Sequence, residues 1–270
     1  MAIIAKFTRT LPAPTATISG GFVFLLSAGW FTQANTGAAG SPIDGGTNSI
    51  ANGGGDMQIF SDTSTTTQLP IEVVTFVTGG SPQCQVWVRT PSYTAGDTIT
   101  IGKDDTQTTQ PAVGAAFGRN ATWVDFEYNF HLDSINKLID STGNYSLTES
   151  GTVSNITGKI GEGVTSSGST SNYLSVTGYK GVVGSGARTH KLWAKSSSTG
   201  AMVDYGVSGT GTRYTVRLAS GAFRTEVQGS FSLTTGNFGD GLWHQFTSKE
   251  DGTTSFPACH TSIVDGAVQA

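Results

Sequence analysis

The stretch Ala121-Thr122-Trp123-Val124-Asp125-Phe126-Glu127-Tyr128-Asn129-Phe130-His131-Leu132-Asp133-Ser134-Ile135-Asn136-Lys137-Leu138-Ile139-Asp140-Ser141-Thr142-Gly143-Asn144 is the most aromatic in the chain. Phe126, Tyr128, Phe130 and Leu132 alternate with polar residues, the pattern of a strand with one buried face. Trp123, Phe126 and Phe130 are expected to be buried, and Asp140 to Asn144 to form a tight turn. There Asp and Ser cap their own backbone and Gly accepts positive φ. Ser134–Ile139 is the best candidate for a helical turn, because Ile135, Leu138 and Ile139 share a face. On both sides, short alternating apolar runs are cut by Gly, Ser, Thr and Asn. The stretch therefore reads as the seam between two β-rich halves: 1–120, then the seam 121–144, which opens the second unit, then 145–270.

Composition supports that division. A chain of 270 residues holds one large or two ordinary domains. Only 13% of residues are charged and 37 are Gly, so helices are disfavoured and strands joined by many turns are expected. The fold class expected is all-β, two β-sandwich units of jelly-roll type with very little helix. The net charge of -4, without a dense basic patch, argues against a nucleic-acid partner. Phe22 to Ala28 is too short an apolar run to span a membrane and reads as a buried strand rather than an export leader. Synthesis in a cytoplasm and transport by assembly or lysis is the expectation from that reading. Cys84 and Cys259 make no metal site by themselves and read as small buried residues, with a disulfide between the halves as the alternative.

In the first half, strands are expected at 56–62, 69–74, 85–91 (stopped by Pro91) and 97–102. Four groups of residues, in order, carry a resemblance. They are Asp56, Ile59, Phe60 and Asp62; Leu69, Pro70, Ile71 and Glu72; Val86, Trp87, Val88 and Pro91; and Ile99, Ile101 and Gly102. Followed by Ala121-Thr122-Trp123, this half resembles the domain of unknown function called DUF2341 over about residues 5–125. Gly102-Lys103-Asp104-Asp105 departs from that family's tyrosine-rich strand. The resemblance implies a β-rich module found beside adhesive domains, and no chemistry.

In the second half, Tyr214, Val216 and Leu218 are expected on one face of a strand, with Arg213, Thr215 and Arg217 opposite. Leu192-Trp193-Ala194-Lys195, Asp240-Gly241-Leu242-Trp243-His244 and Ile263-Val264-Asp265-Gly266 resemble the laminin-G-like, concanavalin A-like lectin/glucanase sandwich. Further likeness lies in His131-Leu132, Asp140 to Asn144 and Gly158-Lys159-Ile160-Gly161. Coverage is roughly 126–270. Paired with the first half, it implies a bacteriophage structural protein or a bacterial surface protein.

No catalytic set emerges. The Glu-x-Asp-x-x-Glu pattern of the glucanases is absent, and Asp125 and Glu127 read as a solvated strand face. Glu149, Glu162, Glu226 and Glu250 read as isolated and exposed. His131, His190, His244 and His260 lack sequence partners for a triad. No cofactor is expected. The resemblance leaves calcium open, with Asp204, Asp240 and Asp265 as candidates by residue type. For carbohydrate binding the candidates are Trp30, Tyr93, Tyr179 and Tyr205, whose rings could face a pyranose.

The function expected is a non-enzymatic virion protein: a tail fibre, baseplate or capsid-decorating subunit. Its partners are other virion proteins, further copies of itself and a host-surface glycan, with no nucleic acid and no membrane. The alternative is a secreted or surface-anchored adhesin, extracellular or on the cell surface, and the least favoured is a glycoside hydrolase. The chain ends at Ala270, shortly after the Val-Asp-Gly hairpin, where a sheet edge is expected to need a neighbour.

Overall fold

The computed structural model describes residues 3–182 and 184–269, and they are almost entirely β. The chain divides into two compact units, 1–147 with 160–164, and 148–159 with 165–270.

In the first unit, β1 (Ile3–Thr10), β2 (Ile18–Ser27), β3 (Met57–Phe60), β4 (Ile71–Val77), β5 (Gln83–Tyr93) and β6 (Thr98–Asp104) form two antiparallel three-stranded sheets. Their orders are β1-β6-β3 and β2-β5-β4. Phe7, Met57, Ile59, Ile99 and Ile101 project from the first sheet, and Leu26, Ile71, Phe76, Val86 and Val88 from the second. They make one core, so the unit is a sandwich. The run at 22–28 lies largely in β2, a strand as expected, but only Leu26 of it is buried and Phe22 to Leu25 are half-buried; Pro70 immediately precedes β4.

Pro91 does not stop its strand. At that point β5 has left β4 behind, and on β2 the register shifts between Ser19 and Phe22. Two glycines thus oppose one proline, and no ladder bond requires its missing N–H. The fourth expected strand runs past Gly102, with β6 ending at Asp104.

The expected strand in 121–144 does not form, and the stretch through Leu147 belongs to the first unit. A single helical turn, α1 (Arg119–Thr122), leads into irregular chain, and 134–138 form turns, not a helix. Trp123 is buried, Phe130 is half-buried and Phe126 is exposed. Alternation failed here because the chain is held by polar side chains rather than by a ladder. The turn at 140–144 is as expected. Asp140 accepts the N–H of Asn129 at 2.8 Å and of Tyr145 at 3.1 Å, and Gly143 has φ 83°.

The second unit's strands are β7 (Thr148–Ser150), β8 (Val153–Thr157), β9 (Glu162–Ser166, shared with the first unit), β10 (Tyr173–Ser175), β11 (Arg188–Lys195) and β12 (Gly200–Gly206). They continue with β13 (Arg213–Ala219), β14 (Ala222–Val227), β15 (Ser230–Leu233), β16 (Trp243–Glu250), β17 (His260–Val264) and β18 (Ala267–Val268). Two four-stranded antiparallel sheets, β12-β13-β14-β15 and β11-β16-β17-β18, enclose a second core. Tyr205, Tyr214, Val216, Leu218 and Phe223 come from one sheet, and Phe246 and Val264 from the other. The alternation read at 213–218 holds: Tyr214, Val216 and Leu218 point inward and Arg213 and Arg217 outward. The Val-Asp-Gly segment forms the β17–β18 hairpin, with Asp265 at φ 52° and Gly266 at φ 83°.

Candidate functional site

Four polar constellations differ in how far they reach solvent. In the first unit, buried Glu72 on β4 accepts hydrogen bonds from Trp123 Nε1 at 2.6 Å and Ser141 Oγ at 2.7 Å, and faces His131 Nε2 at 2.7 Å. Trp87 stacks on the His131 ring at 5.7 Å. Both carboxylate oxygens are occupied and the Glu72 side chain is only 7% exposed, so the group acts as a clamp on the 121–144 stretch. Asp125 and Glu127 share no strand face. Asp125 pairs with Arg89 at 2.7 Å, and Glu127 accepts from Tyr145 Oη.

In the second unit, Glu250 is buried, contrary to its reading as an exposed carboxylate. It meets Arg188 Nε at 3.1 Å, His260 Nδ1 at 2.8 Å and Tyr214 Oη at 3.1 Å. His260 Nε2 lies 2.8 Å from Ser262 Oγ. The order Ser262, His260, Glu250 is that of a nucleophile, a base and its orienting acid, so the histidine has partners that sequence spacing did not reveal. The His260 side chain is only 1% exposed, however, and the row lies between the sheets, so no substrate reaches it. Nearby His190 bonds Tyr205 Oη at 3.0 Å. Burial pushes the His190 imidazole down to about 4, against the opposing pull of Glu250. Burial and the Glu250 charge push the Tyr214 hydroxyl up.

The third constellation bridges two loops. His244 on β16 faces Asp265 at 2.7 Å through Nδ1 and Asp240 at 3.1 Å through Nε2. Partial burial opposes the imidazolium, but the bonds to Asp265 and then Asp240 hold its pKa above the ordinary value. The N–H of Leu242 holds Asp240 low. Asp204, the third calcium candidate, pairs with Arg213 instead. Among the described residues no group of three or more His, Cys, Asp or Glu is placed to hold a metal ion. Both thiols are free, and burial pushes the Cys84 thiol up to about 12.

The four aromatic candidates are divided, two in each unit. Tyr93 is buried against Phe22, with ring centroids 5.2 Å apart, and Trp30 is half-buried with Arg9 over its ring. Tyr179 and Tyr205 touch each other edge to face at 5.6 Å, and Tyr205 is buried in the core.

What remains open is the outer face of the β12–β15 sheet. Register places Asp204, Thr215, Glu226 and Phe231 in one cross-strand row, and Ala201, Arg217, Arg224 and Leu233 in the next. Thr215 is the buried floor of a groove of about 190 Å³, walled by Asp204, Arg213, Arg217, Glu226 and Gln228. Arg213 holds Asp204 through two nitrogens, and Arg224 meets Glu226 at 3.0 Å. The Arg224 guanidinium also lies 3.9 Å over the Phe231 ring, half of which is open to solvent. Phe231 was missed in the sequence because only its register beside Glu226 and Arg224 marks it.

Comparison of the chain with family models, with curated proteins and with solved structures finds no significant match in any of the three.

Proposed function

We propose that this chain is a non-enzymatic virion structural protein, a tail-fibre, baseplate or capsid-decorating subunit, which grips a glycan on the outer face of its β12–β15 sheet. The observation that carries the reading is the groove over Thr215. It sets planar hydrogen-bonding groups, Arg213, Arg217, Glu226 and Gln228, along a wall whose Glu226 stands opposite the half-exposed Phe231 on the next strand. Such a combination suits a sugar, whose hydroxyls need donors and acceptors and whose ring carbons need an apolar face. Its two carboxylates, Asp204 and Glu226, are each engaged by a guanidinium rather than standing free as an acid and a nucleophile. The low charge, the Gly-rich composition and the resemblance of the two halves to DUF2341 and laminin-G-like modules support the virion setting.

The test is a glycan array probed with the full chain, beside immunogold labelling of purified particles. Binding that falls at least tenfold in Phe231→Ala, with label on the particle, is the expected result. Release of reducing sugar from a bound polysaccharide overturns the non-enzymatic reading. Label on a bacterial surface instead of particles replaces the virion by a surface adhesin.

A further inference from the structure

Arg217 is the guanidinium of this face without a partner. Arg213 has Asp204 and Arg224 has Glu226, whereas among the described residues no carboxylate or hydrogen-bond acceptor meets Arg217. Its Nε, like that of Arg224, is shielded from solvent and bonded to nothing, but Arg217 alone of the three also lacks a carboxylate at its terminal nitrogens. A charged donor stripped of water without an acceptor is a standing cost. The register sharpens it. Arg217 lies directly opposite Arg224 on the same face, and like charges in that position repel. Three guanidiniums against two carboxylates leave one positive charge on the face, centred where the acceptor is missing.

We propose that the groove takes a carboxylated saccharide, a hexuronic acid within or at the end of a glycan, with the sugar carboxylate bound to Arg217. This rests on the glycan-binding reading above and names its substrate class. A guanidinium presents two parallel N–H donors whose spacing matches a carboxylate, so a uronate supplies the acceptor that the Arg217 fork lacks. It also places a negative charge between Arg217 and Arg224. The remaining walls serve the ring. The oxygen of the Gln228 amide is occupied by the Gly209 N–H at 2.6 Å, which turns its NH2 group to the role of donor. Asp204 and Glu226, neutralised by their own arginines, accept from hydroxyls without repelling the ligand strongly. A groove of about 190 Å³ is smaller than a drug-sized pocket and suits one sugar ring.

The experiment is titration of the full chain with methyl glucuronoside, methyl glucoside and methyl glucoside 6-sulfate, followed by amide and arginine Nε–H NMR signals. The same titrations are run on Arg217→Gln and Arg217→Lys, with circular dichroism to check the fold. The expected result is glucuronoside binding at least tenfold tighter than glucoside, with a shifted Arg217 Nε–H signal. Arg217→Gln should erase the preference, and Arg217→Lys should keep only part of it, because a point charge lacks the fork. Equal affinity for glucuronoside and sulfate, or a preference that survives Arg217→Gln, overturns the carboxylate assignment. Neutral sugar binding that Arg217→Gln leaves unchanged overturns it too, while leaving the glycan-binding reading in place. No binding of any saccharide, here or on the array, overturns both.

Discussion

Glu72 decides how the 121–144 stretch folds, because three side chains from that stretch converge on one carboxylate. Its removal in Glu72→Ala leaves the indole N–H of Trp123 and the hydroxyl of Ser141 without acceptors, and His131 without its carboxylate. The expected loss is roughly 3–5 kcal/mol, the range for breaking a buried, charged hydrogen-bonded set. Urea denaturation measures it, and a loss below about 0.5 kcal/mol, typical of surface changes, would show that the clamp is solvated. None of this convergence was legible in the sequence. Trp123, His131 and Ser141 lie 51 to 69 positions from Glu72, and no local period records a partner that far away. His244 gives a second test at this scale. Its folded pKa is raised, so its bridge to Asp240 and Asp265 contributes fully below the unfolded value of about 6.5 and is lost as pH rises through the folded value. An NMR titration of His244 should give a midpoint above that of a free histidine, and Asp265→Asn should lower it. A midpoint unchanged by Asp265→Asn would sink the assignment.

At the scale of the element, the strands were legible wherever one face packs on a core. The alternations at 213–218 and 99–101 had only one way to face inward. Glu250 was within reach of the same rule. It stands at the i+4 position from Phe246 with Ser248 between them, all three on the buried face of β16, but its charge suggested water. In 121–144 the rule misled, since Phe126, Tyr128 and Phe130 alternate without a neighbouring strand to pair with. Hairpin turns offer a prediction that separates two costs. Gly266 in the β17–β18 turn has φ 83° and open space where a Cβ would stand, so Gly266→Ala should cost about 1–2 kcal/mol from conformation alone. Gly206, at the end of β12, has φ 94° and a Cβ would lie 2.1 Å from the carbonyl oxygen of Thr212. Gly206→Ala must therefore move the β12–β13 connection and should lose clearly more. Thermal or urea unfolding of both variants checks the order, and equal losses would mean that this backbone yields easily.

For the whole molecule, the two units differ in what their cores contain. The first packs an apolar layer between its sheets, with Phe7, Leu26, Phe31, Ile59 and Val88 all essentially inaccessible. The second places Arg188, His190, Tyr214, Glu250 and His260 among its apolar side chains. That composition gives the second unit an acid-sensitive group of its own in the core. His190 has a folded value near 4 against about 6.5 when unfolded. Between those values the unfolded chain binds the proton and the folded one does not, so stability rises with pH across that window. The contribution is complete above about pH 6.5 and is lost as pH falls towards 4, amounting to roughly 3 kcal/mol at most. Trp193 and Trp243 report on the second unit, and Trp30, Trp87 and Trp123 on the first. Urea unfolding followed by tryptophan fluorescence at pH 7 and pH 4.5, in variants keeping tryptophan in one unit only, should show a lowered midpoint at pH 4.5 for the second unit. His190→Gln should flatten that dependence, because a neutral amide can still bond Tyr205 Oη but takes up no proton. If the second unit's midpoint keeps its full pH dependence in His190→Gln, the sensitivity belongs to the other ionisable groups of that layer, and His190 has no part in it.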